Sequence, residues 1–158
     1  MFGLFKKKPL EVVSPMDGEL VALESINDDV FSKKLVGDGV AIIPSSGTII
    51  APINGVVTRI FPTKHAFMIS GINGIEVMVH VGLDTVELNG EGFTCLVKEG
   101  DSVNQASAIL DVDFEFIKSK GKDIVTPIII TSDKNIEIDK HKVGMIREGE
   151  SLLTVKFI

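Results

Sequence analysis

Short runs of apolar and β-branched residues recur along most of the chain, and glycine, proline, asparagine or aspartate separates one run from the next. This pattern is typical of an all-β sandwich or barrel, in which each run forms a strand and each break forms a turn. The predicted strands include 19–23, 40–43, 56–60, 75–81, 128–131 and 152–157. The best helical candidate is 113–120, where Phe114 and Ile117 give one apolar side before Gly121. We therefore predict an antiparallel β-sandwich, barrel-like, with only short helical turns.

The turn segments also resemble one another in pairs. The similar segments are 14–21 and 51–58, 37–42 and 71–77, and 98–103 and 147–152. In each pair, the turn residues occupy the positions that a hairpin requires. Because the intervals are too few and too irregular for a solenoid, we interpret them as an internally duplicated motif. We expect one domain over 11–158, preceded by a flexible N-terminal tail over 1–10.

Composition narrows the classes of function. The chain has 158 residues, of which 44% are hydrophobic, so it can bury a substantial core as a single domain. Its formal net charge of −6 disfavours nucleic acid as a partner and favours a partner with a basic or apolar patch. The single cysteine, Cys95, excludes an intramolecular disulfide and a cysteine metal cluster, which fits a reducing cytoplasm. No apolar run approaches the roughly 18 residues of a membrane span.

The three histidines are His65, His80 and His141, and strand parity is informative around His80. Within 75–81, every odd-numbered residue is isoleucine or valine, whereas Glu76, Met78 and His80 share the other face. The β-branched face is expected to point into the core, which places His80 on the outer face beside Met78. The pattern predicts an accessible imidazole on a rigid strand.

A neutral imidazole is a competent nucleophile near neutral pH and can accept a phosphoryl group and release it later. Asp84 and Thr85 follow His80 closely, and their short polar side chains can orient a ring nitrogen or a phosphate oxygen. The segment 61–67 adds a hydroxyl, a second histidine and two aromatic rings. From these residues alone, a phosphoryl-carrying site and an exposed histidine without chemistry remain equally open.

The segments 37–42, 61–67, 80–86 and 87–93 closely resemble the glucose-family IIA proteins of the bacterial phosphoenolpyruvate-dependent sugar phosphotransferase system. The resemblance runs from about Glu11 to the C-terminus. It implies an antiparallel β-sandwich in which two histidines face each other in a shallow depression.

The resemblance also implies a role for individual residues. His80 matches the histidine that is phosphorylated on Nε2, and His65 matches the companion that stabilises the phosphate. Thr63 matches the threonine that orients His65, and Asp28 and Asp84 match acidic residues that flank the site. The residues that match the apolar rim for partner docking are Phe31, Phe61, Met78 and Val86.

The implied cycle runs from the phosphohistidine of the carrier HPr to His80 and then to a cysteine on the IIB domain of a glucose-type sugar permease. It is a phosphotransferase cycle that requires no cofactor and no metal, although His65 and His80 could share zinc with a partner. The resemblance further implies regulatory binding of other proteins. We expect a cytoplasmic monomer that does not bind nucleic acid.

Three other classes of function are weighed against this one. His80 and Asp84 form the His-x-x-x-Asp pair of some zinc peptidases, but the His-x-His that would complete such a site is missing, and His141 lies in a polar run. The hairpin at 14–21 is similar to those of biotinyl and lipoyl carriers, but its tip lacks their lysine. A purely regulatory binding module remains open.

Overall fold

The structure, a computed structural model, describes residues 7–141 and 143–158. Its strands are β1 Leu10–Val13, β2 Gly18–Ala22, β3 Asp38–Pro44, β4 Thr48–Ile50, β5 Gly55–Ile60, β6 Ala66–Ser70, β7 Ile75–His80, β8 Phe93–Cys95, β9 Ser102–Val103, β10 Ala108–Val112, β11 Thr126–Ser132, β12 Ile136–Lys140, β13 Gly144–Ile146 and β14 Ser151–Phe157. The helices are α1 Asp29–Ser32 and α2 Phe114–Ser119.

The strands form antiparallel sheets that enclose a common apolar core. The largest sheet has the order β13-β2-β3-β11-β7-β6-β5-β9, and the two smaller sheets have the orders β1-β14-β12 and β4-β10-β8. Each sheet contributes fully buried side chains to the same cluster, including Val12 from β1, Ile49 from β4 and Val77 from β7. Since one core joins all three sheets, the predicted β-sandwich is confirmed.

The internal duplication is visible in the backbone hydrogen bonds. The amide of Val13 donates to the carbonyl of Pro52 at 3.0 Å, and the amide of Ile50 donates to the carbonyl of Pro15 at 2.8 Å. Val13 and Ile50 each stand two residues before the matching proline, so the two similar segments bond to each other reciprocally.

The third pair of similar segments forms matching turns. In one turn, the amide of Lys98 donates to the side chain of Asp101 at 2.9 Å. In the other, the amide of Arg147 donates to the side chain of Glu150 at 2.9 Å. The equivalent acidic residue closes both turns, and the turns lead into β9 and β14 respectively. The predicted internally duplicated motif is therefore confirmed.

Each predicted strand overlaps an observed one, and the predicted helix at 113–120 corresponds to α2. The side chain of Asp113 caps the first turn of α2 by accepting a hydrogen bond from the amide of Phe116 at 3.1 Å. The four-residue helix α1 was not predicted because it is too short to show a helical period. Residues 1–6 of the predicted tail lie outside the described residues, and Leu10 already belongs to β1. Within the described residues, neither helix has the length and apolar character needed to cross a bilayer.

Candidate functional site: two facing histidines

His80 is the last residue of β7, and the alternation of that strand sets its direction. Ile75, Val77 and Val79 are fully buried in the main core, as the strand parity predicted. Met78 and His80 lie on the opposite face and are partly buried. Met78 packs there against a second apolar cluster, whose buried members are Leu23, Ile26, Phe31, Ala41, Leu83, Val125 and Ile129. This second cluster supports the face of the sheet that carries His80.

His65 reaches the same place from the neighbouring strand β6. Ala66 is the cross-strand partner of His80, so His65 lies one residue before that pair. The amide of Val81 donates to the carbonyl of His65 at 2.7 Å, which ties the two segments together. The two imidazole rings are therefore neighbours, with centroids 4.7 Å apart and planes at 82°. The predicted pairing of the two histidines is present in the structure.

The Nδ1 atom of each histidine has its own hydrogen-bond partner. Nδ1 of His80 lies 2.8 Å from the carbonyl oxygen of Gly82, and Nδ1 of His65 lies 2.7 Å from the hydroxyl of Thr63. A carbonyl can only accept, so this bond requires a proton on Nδ1 of His80 and leaves a lone pair on Nε2. The Thr63 hydroxyl can donate or accept, so it is compatible with either tautomer of His65.

Burial favours the neutral form of both imidazoles. Desolvation lowers the pKa of His65 from 6.5 to about 4, and the neighbouring His80 adds to this effect. Desolvation also lowers the pKa of His80, opposed by the Gly82 carbonyl and by the charges of Asp28 and Asp84. Because an imidazole must be neutral to act as a nucleophile, this environment favours the protonation state that a nucleophilic histidine needs.

Aromatic rings flank the histidines on two sides. The Phe31 ring lies 4.9 Å from the His80 ring, and the Phe61 ring lies 5.4 Å from the His65 ring at 77°. Phe31 is only 6% exposed. It therefore packs against one side of His80 and offers little surface for partner docking. With Phe31 and His65 against it, His80 is half-buried on the outer face of β7, the face where strand parity predicts an accessible ring.

The remaining predicted residues surround this centre. The Asp28 side chain accepts a hydrogen bond from the amide of Val30 at 2.9 Å and thereby caps α1, the helix that carries Phe31. Asp84 precedes a short 3-10 turn, Thr85–Leu88, in which Val86 is 50% exposed. The charges of Asp28 and Asp84 both oppose the desolvation that lowers the pKa of His80.

Three contributions to the site were not predicted. The Gly82 carbonyl orients the ring of His80, a task that the sequence had suggested for the side chain of Asp84 or Thr85. Thr85 is fully buried and donates its hydroxyl to the carbonyl of Val81. Arg59 stacks over the ring of Phe61 at 4.2 Å. Sequence patterns identify side-chain types but not backbone acceptors, although a glycine directly after a strand is a signal for an unusual backbone conformation.

The chain matches the family described as the phosphoenolpyruvate-dependent sugar phosphotransferase system, EIIA 1, over residues 10–136. It belongs to this family. The family is one of phosphotransferases, and membership implies a part in phosphoryl transfer within the sugar phosphotransferase system.

Relatives and a solved structure agree with this placement. The chain is 42% identical over 149 residues to the glucose-specific EIIA component of Buchnera aphidicola, covering 94% of this chain and 92% of the relative. It is 44% identical over 144 residues to the glucoside-specific EIICBA component of Staphylococcus carnosus, covering 91% of this chain and 21% of the relative. The glucose permease IIA of Mycoplasma capricolum has the same fold, with a TM-score of 0.87, 38% identity and coverage of 94% of this chain and 96% of that one.

The zinc-peptidase alternative gains no support from the position of the third histidine. Nε2 of His141 lies 3.0 Å from the hydroxyl of Ser151 and 4.0 Å from a carboxylate oxygen of Glu11, so it stands beside the β1-β14-β12 sheet. His65 and His80 are carried by the larger sheet. The part of the chain that the structure describes has no grouping of three or more histidine, cysteine, aspartate or glutamate side chains arranged to hold a metal ion.

Proposed function

We propose that the protein is a phosphoryl carrier that accepts the phosphoryl group of phospho-HPr on Nε2 of His80 and passes it to a cysteine on the IIB domain of a glucose-type permease. The observation that carries this proposal is the hydrogen bond from Nδ1 of His80 to the Gly82 carbonyl. It supports a lone pair on Nε2 of His80, whose ring lies against the ring of His65.

In the accepting step, the lone pair on Nε2 of His80 attacks the phosphorus of the donor phosphohistidine. The donor's phosphorus–nitrogen bond breaks, and its electron pair returns to the donor imidazole. The phosphorylated His80 ring keeps its Nδ1 proton, and the Gly82 carbonyl stabilises the positive charge that spreads over that ring. In the second step, a thiolate of the acceptor displaces His80 from phosphorus. These exchanges need alignment and exclusion of water and use no metal.

His65 is proposed to stabilise charge on the phosphoryl oxygens during both steps. For this role, the Thr63 hydroxyl donates to Nδ1 of His65, so that Nε2 of His65 carries the proton and can donate to a phosphate oxygen. The pKa of about 4 fits a neutral donor of this kind. Phe31 and Phe61 exclude water from the reacting groups, which strengthens this hydrogen bond.

The same face is also proposed to bind regulatory targets in the unphosphorylated state. Its exposed apolar side chains include Val86. A phosphate on His80 adds about −1.5 to −2 charges, which disfavours apolar docking at this face. Pull-down of candidate targets with and without phosphoenolpyruvate tests this second role, and equal binding in both states would rule it out.

Labelling from phosphoenolpyruvate through enzyme I and HPr tests the main proposal. The wild-type protein is expected to take up one acid-labile phosphate, and His80→Gln none. His65→Gln is expected to accept phosphate but to transfer it to a IIB domain at least ~100-fold more slowly, since one charge-stabilising donor is lost. His141→Gln is the matched control, because His141 lies against a different sheet, and it is expected to behave as the wild type. Normal labelling of His80→Gln would refute the proposal.

A further inference from the structure

The loop that follows β7 holds the Gly82 carbonyl in place with an unusual backbone. Gly82 has a φ of +76° and Asp84 a φ of +57°, both in the left-handed region. Residues other than glycine occupy this region at a cost, so contacts elsewhere in the loop must stabilise it. The position of the Gly82 carbonyl, which sets the tautomer of His80, therefore depends on those contacts.

Thr85 supplies the side-chain contact that closes this loop. Its side chain is fully buried, and its hydroxyl donates to the carbonyl of Val81 at 2.5 Å. Val81 is also bound through its amide, which donates to the carbonyl of His65 at 2.7 Å. Val81 is thus fixed at both ends, by His65 through its amide and by Thr85 through its carbonyl.

The methyl group of Thr85 packs directly against Gly82. A Cβ atom placed on Gly82 would come within 2.6 Å of the Thr85 Cγ2 atom and 2.9 Å of the Asp123 carbonyl oxygen. The Asp123 carbonyl also accepts a hydrogen bond from the amide of Leu83 at 2.9 Å. Gly82 is therefore confined between the Thr85 side chain and the main chain of Asp123. Of these two, only the Thr85 side chain can be removed by substitution.

We propose that Thr85 is a positioning residue that acts through Val81 and Gly82 to select Nε2 of His80 as the phosphoryl acceptor. This inference rests on the proposed function of His80. With the Thr85 hydroxyl absent, the Val81 carbonyl loses its buried donor and the Gly82 carbonyl moves away from Nδ1. The proton of His80 is then free to move to Nε2, where it blocks the attacking lone pair and leaves Nδ1 as the nucleophilic nitrogen.

Two substitutions separate the hydroxyl from the bulk of the side chain. Thr85→Val keeps the shape but removes the hydroxyl, and Thr85→Ser keeps the hydroxyl but removes the methyl group. Nitrogen-15 NMR of the unphosphorylated proteins reports the tautomer of His80. In Thr85→Val we expect loss of the Nδ1-protonated form, a fall of at least tenfold in the rate of labelling from phospho-HPr, and some Nδ1-phosphohistidine. In Thr85→Ser we expect the wild-type tautomer and a rate within about threefold of wild type.

The outcome that overturns the inference is a folded Thr85→Val that retains the Nδ1-protonated tautomer, the wild-type rate and labelling on Nε2 only. The inference also fails if His80 of the wild-type protein is protonated on Nε2, a measurement that needs no variant. Failure of the proposed function looks different, because the wild-type protein would then show the expected tautomer and yet take up no phosphate.

Discussion

At the scale of single residues, the two histidines of the site differ from His141 in their burial. His65 is 3% exposed and His80 is half-buried, whereas His141 is exposed. Burial lowers the pKa of a histidine, because the charged imidazolium loses its hydration inside the protein. This gives the folded protein a dependence on pH that can be measured independently of activity.

The low pKa of His65 predicts a loss of stability in mild acid. Its pKa is about 4 in the folded protein against 6.5 in the unfolded chain, so between these values the unfolded chain binds more protons. The free energy of unfolding should therefore fall as pH decreases from 6.5 towards 4, by about 2–3 kcal/mol at pH 4.5. Urea unfolding at pH 7 and pH 4.5 measures this difference.

His65→Gln should reduce that pH dependence, while His141→Gln should retain it. A wild-type protein whose unfolding free energy is the same at pH 7 and pH 4.5 would show that His65 is not buried in its neutral form. The outer-face position of His80 was predictable from strand parity, and the pairing of His65 with it was predictable from the family resemblance. The depth of burial was not, because it depends on Phe31, which a different segment of the chain brings against His80.

At the scale of secondary structure elements, α1 and the loop after β7 carry the groups that surround His80. The Asp28 side chain caps α1, and α1 carries Phe31 to the His80 ring. Desolvation lowers the pKa of His80, and the charge of the same carboxylate partly opposes that shift. Asp28 therefore has two effects that can be separated by substitution. Its side chain stabilises α1 as a cap, and its charge influences the pKa of His80.

We expect Asp28→Asn to lower the pKa of His80 while leaving stability nearly unchanged, since asparagine also caps helices well. Asp28→Ala should lower the same pKa and also cost about 1 kcal/mol, because the cap is lost. NMR titration of His80 and urea unfolding distinguish the two effects. A pKa of His80 that does not move in either variant would exclude a direct influence of the Asp28 charge.

Remote from the site, Asp113→Ala should cost about 1 kcal/mol of stability by removing the cap of α2, with no change in the rate of labelling. Thermal unfolding and the phosphoenolpyruvate assay give the two readouts. A large loss of labelling in this folded variant would mean that α2 contributes to the site.

The elements were predictable to different degrees for physical reasons. The helix α2 was predicted because Phe114 and Ile117 give it an apolar side and Gly121 ends it. The helix α1 has only four residues, so its formation depends on its cap and on the burial of Phe31. The Gly82 turn was recognisable as a break in the sequence, but the direction of its carbonyl follows from the tertiary contacts of Thr85 and Asp123.

At the scale of the whole molecule, the duplicated segments bond to each other and join the sheets around one core. The reciprocal bonds of Val13 to Pro52 and of Ile50 to Pro15 link the two copies. The repeated sequence predicted the duplication, yet it did not indicate how the copies pair, since pairing depends on residues far apart in the chain. The resulting frame pairs β6 with β7, with His65 and His80 at their adjoining ends.

The net charge of −6 predicts how the molecule would meet the phosphoryl donor proposed for it. An acidic protein attracts a donor with a basic patch, and dissolved salt screens that attraction. We expect the rate of acceptance from phospho-HPr to fall several-fold between 50 and 500 mM NaCl at a fixed, subsaturating donor concentration. An unchanged rate would indicate that docking depends on the apolar side chains alone.

The position of the phosphate on the labelled wild-type protein shows directly whether Nε2 of His80 is the phosphoryl acceptor. The protein is phosphorylated with phosphoenolpyruvate, enzyme I and HPr, and long-range proton–nitrogen NMR then identifies both the modified histidine and the modified nitrogen. We predict a single phosphate on Nε2 of His80, with the proton on Nδ1 still donated to the Gly82 carbonyl. A phosphate on His65, on His141 or on Nδ1 of His80 would contradict it.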